Sequence, residues 1–220
     1  MKIYLASASL DDIRWGTSIQ LVDGIVTTPA LLAAATNDED GRDLLGVIGR
    51  LSRVPVCATV TSVSAEDIYQ DARDLARAAD HMIVQIPFVE DAAGTIRRLA
   101  AEGIRVGVTL VFNVAQATLA AKLGASMITV PLDPLEEVGQ RGSDVIAEIR
   151  RVFDTSGIEC DIFAAHPRGP AQFAACAAAG AHGVILSAAV LRSLLVHPLT
   201  DRGIDQFLHD LSKRPKVRVT

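Results

Sequence analysis

Short apolar runs rich in β-branched residues recur along the chain, at 3–6, 24–27, 54–60, 82–87, 106–111, 127–130, 160–164 and 183–186. Each is too short for a buried helix. Most are continuously apolar, the pattern of strands covered on both faces in a parallel sheet. Between them lie stretches with helical spacing. In one, Ser64 is a candidate N-cap with Asp67 three positions on, and Ile68, Ala72, Leu75 and Ala79 follow at intervals of three and four, so an amphipathic helix starts there. Gly103, Gly124, Gly157 and Gly180 each follow a helical stretch and precede an apolar run, where a helix ends in a left-handed residue. The intervals between these glycines are irregular, which predicts a βα series and not a fixed repeat.

Eight such strands alternating with helices predict one domain over residues 1–220, a (β/α)8 TIM barrel. The rival is an open doubly wound sheet. That fold would place a glycine-rich turn after the first strand, and Ala6, Ser7, Ala8 and Ser9 stand there, with no G-x-G-x-x-G and no P-loop in the chain. Two further helical stretches, 188–194 and 201–211, then a basic tail from Lys213, add a C-terminal helix beyond what closure needs.

Composition narrows the partners. Half of the 220 residues are hydrophobic and the net charge is −5, so the overall field repels nucleic acid and anionic membranes alike. No apolar run is long enough to span a bilayer. Cys57, Cys160 and Cys176 sit in apolar stretches without paired spacing, which suits a cytoplasmic protein better than a secreted one. The histidines His81, His182, His197 and His209 have no ligand spacing to one another or to the cysteines, so the expectation is no metal, and no motif asks for a cofactor.

In a barrel the chemistry comes from the C-terminal ends of the strands. These positions hold Thr27 and Thr28, Thr59 and Thr61, Gln85, Thr109 and Asn113, Asp133, His166 and Arg168, and Ser187. Gln85 is either a binder of carbonyl or hydroxyl groups or a buried amide satisfied by backbone. Thr27, Thr28, Thr59, Thr109 and Ser187 could hold a polyol, or the threonines could fill a strand lip. His166 has an imidazole suited to moving a proton; Arg168 could hold a phosphate; Asp133 is a base candidate or a turn carboxylate. Glu136 and Glu137 read as the start of a helix.

Several of these segments carry a resemblance. Residues 24–32, GIVTTPALL, are similar to the G-x-T-T-N-P-S signature of transaldolases, and 109–117, TLVFNVAQA, resemble their T-L-V-F-S-x-x-Q-A segment. Ile83-Val84-Gln85-Ile86-Pro87 resembles the I-V-V-K-V-P strand of the small subfamily that includes fructose-6-phosphate aldolase, and Ala164-Ala165-His166-Pro167-Arg168 stands where that family has A-A-S-F-K/R. The resemblance covers nearly the whole chain. It implies a (β/α)8 barrel assembled as a homo-oligomer, a pentamer or decamer with the C-terminal helix reaching a neighbour, and a small sugar or sugar phosphate as ligand. The implied chemistry is aldol cleavage or dihydroxyacetone transfer.

The resemblance also implies a Schiff-base lysine on the fourth strand, where this chain has Gln85. Its strand-one aspartate corresponds to Ala6 and the signature asparagine to Thr28, while the family's tyrosine and arginine fall in Pro131-Leu132-Asp133-Pro134-Leu135. Covalent amine catalysis needs a side-chain amine, and Lys2, Lys122, Lys213 and Lys216 are the only lysines; none is expected at the mouth. The expectation is therefore a transaldolase-like protein in which Gln85, Thr109, His166 and Asp133 carry any catalysis and Thr27, Thr28, Thr59, Arg168 and Ser187 bind ligand. A lyase, isomerase or dehydratase working by proton transfer, or a ligand-binding pseudoenzyme, is the alternative.

Overall fold

The computed structural model describes residues 1–36, 41–62 and 64–213. Eight parallel strands pair in sequence order around a closed barrel, β1 (Lys2–Ala6), β2 (Gly24–Thr27), β3 (Val56–Thr59), β4 (Met82–Pro87), β5 (Val106–Thr109), β6 (Met127–Pro131), β7 (Asp161–Ala165) and β8 (Gly183–Leu186). Closure comes from β1 pairing with β8 as well as β2, with Tyr4 beside Ile185 and Leu5 beside Leu186. The outer layer holds α1 (Leu10–Ser18), α2 (Pro29–Thr36), α3 (Arg42–Leu51), α4 (Ala65–Ala76), α5 (Ala92–Ala101) and α6 (Val114–Lys122). It continues with α7 (Leu132–Glu137), α8 (Gly142–Ser156), α9 (Pro170–Ala178), α10 (Ala188–Leu194) and α11 (Pro198–Ser212). The expected barrel and its additional C-terminal helix are both present.

Three corrections concern element ends. The third strand starts at Val56, because Pro55 has no N–H to donate; its carbonyl instead accepts from Ile25. The fifth stops at Thr109, because Leu110 turns to φ +60°. Glu136 and Glu137 close the short α7 and do not open the next helix, which begins at Gly142. The expected helix over Ile68, Ala72 and Leu75 is α4, capped by Ser64, whose hydroxyl oxygen accepts the Asp67 N–H. Gly103, Gly124, Gly157 and Gly180 all have positive φ at helix ends.

Strand alternation divides the apolar residues into two cores. Outward residues such as Leu5, Ile25, Val84, Val108 and Ile128 pack under the helices. Inward residues Tyr4, Val26, Cys57, Ile83, Met127, Phe163 and Ile185 form a second cluster that fills the barrel. Two aromatic rings in that small space need room: Tyr4 is paired in register with Gly24, and Phe163 with Gly183. A Cβ on Gly24 would lie 2.5 Å from the Tyr4 ring, and one on Gly183 would overlap the Phe163 ring. The two rings stack against each other, centroids 4.7 Å apart and tilted by 59°, a favourable edge-and-face arrangement.

At the opposite end from the strands' C-termini, His182 Nδ1 accepts the backbone N–H of Ile162 at 2.9 Å. Burial depresses the imidazole pKa; Asp161 opposes that shift and the Arg150 and Lys2 cations add to it.

Replacing Gly183 by Ala is expected to destabilise the fold by about 1–3 kcal/mol through overpacking, lowering Tm by about 2–4 °C per kcal/mol at this chain length; thermal unfolding followed by circular dichroism checks it. His182 carries a pH prediction. Its folded pKa lies below its unfolded one, so the unfolded chain binds the proton first, and the stability it contributes is complete above about pH 6.5 and declines as pH falls below that. Denaturant midpoints measured between pH 7.5 and 5 should fall on acidification, and His182→Gln should flatten that slope.

Candidate functional site

Above the inward cluster, where the strands end, the barrel opens into a cavity of about 360 Å³. The alternation that buries Ile83 also turns Gln85 inward, where the side chain is 4% exposed and lines this cavity. Thr59 is its register neighbour on β3 and donates its hydroxyl to Gln85 Oε1 at 3.3 Å. That bond orients the amide and leaves Nε2 as a donor without a partner among the described residues. Gly107 on β5 makes room for the Gln85 chain: a Cβ there would stand 3.5 Å from Gln85 Cγ and 3.0 Å from Met127 Cγ.

Thr28, Thr109 and His166 join Thr59 and Gln85 around the cavity. Thr28 also caps α2, accepting the Leu31 N–H at 3.2 Å. His166, after β7, has φ +63° and Leu110, after β5, φ +60°. Two non-glycine residues held in the left-handed region at one cavity are local strain of the kind that collects at binding sites.

The other expected residues lie elsewhere. Thr27 is fully buried, outside the cavity lining, with its hydroxyl donating to the Cys57 carbonyl at 3.1 Å. Ser187 caps α10 by accepting the Val190 N–H. Arg168 and Asp133 meet each other, Nε to Oδ1 at 2.8 Å, outside the lining residues. The pair is exposed, which keeps its contribution to stability small.

Three residues at the mouth were not singled out by sequence reasoning. Thr129 lines the cavity at 3% exposure, and its hydroxyl oxygen is buried with no partner among the described residues. Pro131 and Pro134 form apolar wall. The available signal for Thr129 was the period of two along β6, which turns Met127, Thr129 and Pro131 to the same face.

Inside the barrel the titratable groups stay neutral. Burial pushes the Tyr4 phenol up to about 12, with Cys57 and Asp161 adding to it, and pushes the Cys57 thiol to about 12 as well. Cys160 and Cys176 are also buried, with thiols raised to about 12 and about 11 by desolvation, so all three behave as small apolar groups.

Lys2 pairs with Asp161 at 2.7 Å at the start of β1, Lys122 sits in the last turn of α6, and Lys213 follows α11; Lys216 lies outside the described residues. A second cavity of about 400 Å³ lies among α2, α3 and α4 and shares only Thr59 with the mouth. Its buried Asp71 accepts the Thr61 N–H at 2.7 Å and the Thr61 hydroxyl at 3.0 Å. No group of three or more His, Cys, Asp or Glu suited to a metal ion occurs among the described residues, and no described helix is long and apolar enough to cross a membrane.

A closed (β/α)8 barrel with a mainly apolar cavity at the C-terminal ends of the strands, carrying a few hydroxyl and amide groups, defines a small-molecule site of the kind this architecture supports. The sequence model of one family, described as Transaldolase/Fructose-6-phosphate aldolase, matches residues 3–217. The chain is 36% identical over 215 residues to a probable transaldolase of Herpetosiphon aurantiacus, covering 98% of this chain and 96% of that one. It is 38% identical over 213 residues to a probable transaldolase of Lactiplantibacillus plantarum, covering 96% of each. A probable transaldolase of Syntrophobacter fumaroxidans is 36% identical over 221 residues, covering all of both chains. The chain belongs to the transaldolase/fructose-6-phosphate aldolase family.

Proposed function

We propose that the barrel mouth binds a small sugar or sugar-phosphate-like molecule and performs aldol-type carbon–carbon chemistry on it without a Schiff base. The observation that carries this reading is the Gln85 amide, buried on the cavity wall and oriented by Thr59. An amide nitrogen has its lone pair delocalised and does not add to a ketone, but its N–H groups donate hydrogen bonds to a carbonyl oxygen. The positions of Lys2, Lys122 and Lys213 away from the mouth support the same reading.

Retro-aldol cleavage along this route breaks the bond between the α- and β-carbons of a β-hydroxy ketone. The β-hydroxyl proton passes to His166, and the bonding electron pair moves onto the ketone oxygen as an enolate, which Gln85 and Thr109 stabilise with hydrogen bonds. His166 then returns the proton to the α-carbon. Thr28 and Thr59 hold the remaining hydroxyls. Asp133, paired with Arg168, serves the rim and not the proton transfer. The same groups would run an isomerase or dehydratase step, in which His166 would instead remove a proton from the carbon next to the carbonyl while Gln85 and Thr109 hold the enolate oxygen. A second reading, ligand binding without turnover, is favoured by the mouth's lack of a lining carboxylate among the described residues.

Helix α11 supports an oligomer. It has no buried residue, and Ile204, Phe207, Leu208 and Leu211 form an exposed stripe at spacings of three and four. A second copy of the chain would cover it, as the family resemblance implies for a pentamer or decamer. The cytoplasm suits the three buried free thiols.

Borohydride reduction in the presence of dihydroxyacetone or fructose 6-phosphate, followed by intact mass, is expected to give no adduct, with a lysine-bearing family member labelled in parallel. An adduct on any lysine would return the site to amine chemistry. Where turnover is found, His166→Ala should lower kcat by about 10²-fold or more; thermal stabilisation by these compounds with no product formed supports the binding-only reading. Sedimentation should show an oligomer that the double substitution Phe207→Asp and Leu208→Asp converts to monomers of unchanged circular dichroism.

A further inference from the structure

Outside the cavity lining, in the segments that follow β6 and β7, the chain's own polar groups are bonded to one another. Arg168 Nε donates to Asp133 at 2.8 Å, and the Arg168 backbone N–H donates to Gln172 Oε1 at 2.5 Å. Gln172 Nε2 in turn donates to both carboxylate oxygens of Glu136, at 2.6 and 2.8 Å. Arg168 is therefore matched by a carboxylate, and Gln172 links the same segment to a second one. A phosphate brought here would meet an Arg168 charge already offset by Asp133 and would stand near a second carboxylate, Glu136, so the net field it meets is repulsive.

Apart from the His166 ring, the cavity itself offers no ionisable side chain to an anion. Among the described residues no Arg, Lys, Asp or Glu lines it, while hydroxyl and amide groups do. The Thr129 hydroxyl adds an unmet requirement: it is buried without a partner, and such groups are costly unless something satisfies them. Rotation of a threonine about its Cα–Cβ bond exchanges hydroxyl and methyl, so a ligand on the cavity wall can reach it. We infer that the mouth takes an unphosphorylated polyhydroxy carbonyl compound of about three to six carbons, a size that suits a small pocket, that Asp133 and Glu136 disfavour its phosphorylated counterpart, and that Thr129 supplies one of the hydrogen bonds to it. This rests on the reading of the mouth as a sugar site and narrows it.

Isothermal titration calorimetry of the full chain with dihydroxyacetone, fructose and fructose 6-phosphate tests the inference. Fructose is expected to bind at least about tenfold more tightly than fructose 6-phosphate, a difference of about 1.4 kcal/mol. Thr129→Val, which keeps the shape and removes the hydroxyl, should weaken dihydroxyacetone and fructose about tenfold, and Thr129→Ser should restore binding. The double variant Asp133→Asn and Glu136→Gln should tighten fructose 6-phosphate by about threefold or more and leave fructose unchanged. Fructose 6-phosphate binding as tightly as fructose, or more so, overturns the inference while the sugar site stands. Unchanged fructose affinity in Thr129→Val removes Thr129 from it, and unchanged phosphate affinity in the double variant removes the two carboxylates. Failure of all three compounds to bind overturns the sugar site itself together with this inference.

Discussion

Closure of the barrel depends on fitting two aromatic rings into its interior. Tyr4 from β1 and Phe163 from β7 occupy most of the space that eight strands enclose, and each lies in register beside a glycine, Gly24 on β2 and Gly183 on β8. With side chains at those glycines the strands on either side of the β1–β8 seam would be forced apart, and the seam is what turns an open sheet into a barrel. The same plug sets the depth of the site. Because Tyr4, Cys57, Ile83, Met127 and Phe163 fill the interior, the cavity begins only above them, and Gln85, Thr109 and Thr129 stand where dry core meets cavity.

That position governs the electrostatics. A hydrogen bond at the edge of a dry core is stronger than one in water, and an unpaired group there is correspondingly costly. The structure keeps formal charge out of this zone: the phenol and thiol beneath it are held neutral by burial, and the charges above it are paired with one another at the rim, Arg168 with Asp133. What remains at the mouth is a set of dipoles, hydroxyls and one amide, together with the His166 ring. Such a set acts through directed hydrogen bonds more than through net charge.

Much of this was legible in the sequence, and for identifiable reasons. Parallel strands buried on both faces leave continuous apolar runs, and helices ending at left-handed glycines leave regular punctuation, so all eight strands and the terminal helix could be read. The inward turn of Gln85 followed from its place in a strand. Thr27 was less readable because it is the last residue of its strand: a shift of one position decides between the mouth, where Thr28 lies, and the helix-facing side, where Thr27 bonds to the Cys57 carbonyl. The pairing of Asp133 with Arg168 joins residues 35 positions apart, a meeting that only the adjacency of β6 and β7 creates. Thr129 was hidden in an otherwise apolar run, where a threonine looks like any strand former.

The residues that depart from the family pattern make physical sense together. An amine that forms covalent intermediates needs an acid or base within reach, and a carboxylate in such a site is balanced by the amine's positive charge. With Gln85 as a neutral amide that balance is gone, and an aspartate at position 6, pointing into the same cavity, would be a half-buried charge facing hydroxyls and proline rings, a costly arrangement without a cation. Ala6 avoids that cost, and Pro131 and Pro134 give the mouth apolar wall on the β6 side. An amide at position 85 thus makes an uncharged residue at position 6 favourable for the fold. Lysine at position 85 alone would place an ammonium in a cavity with no described carboxylate in its lining, where desolvation lowers an amine's pKa; balancing that charge would need a carboxylate at position 6 as well.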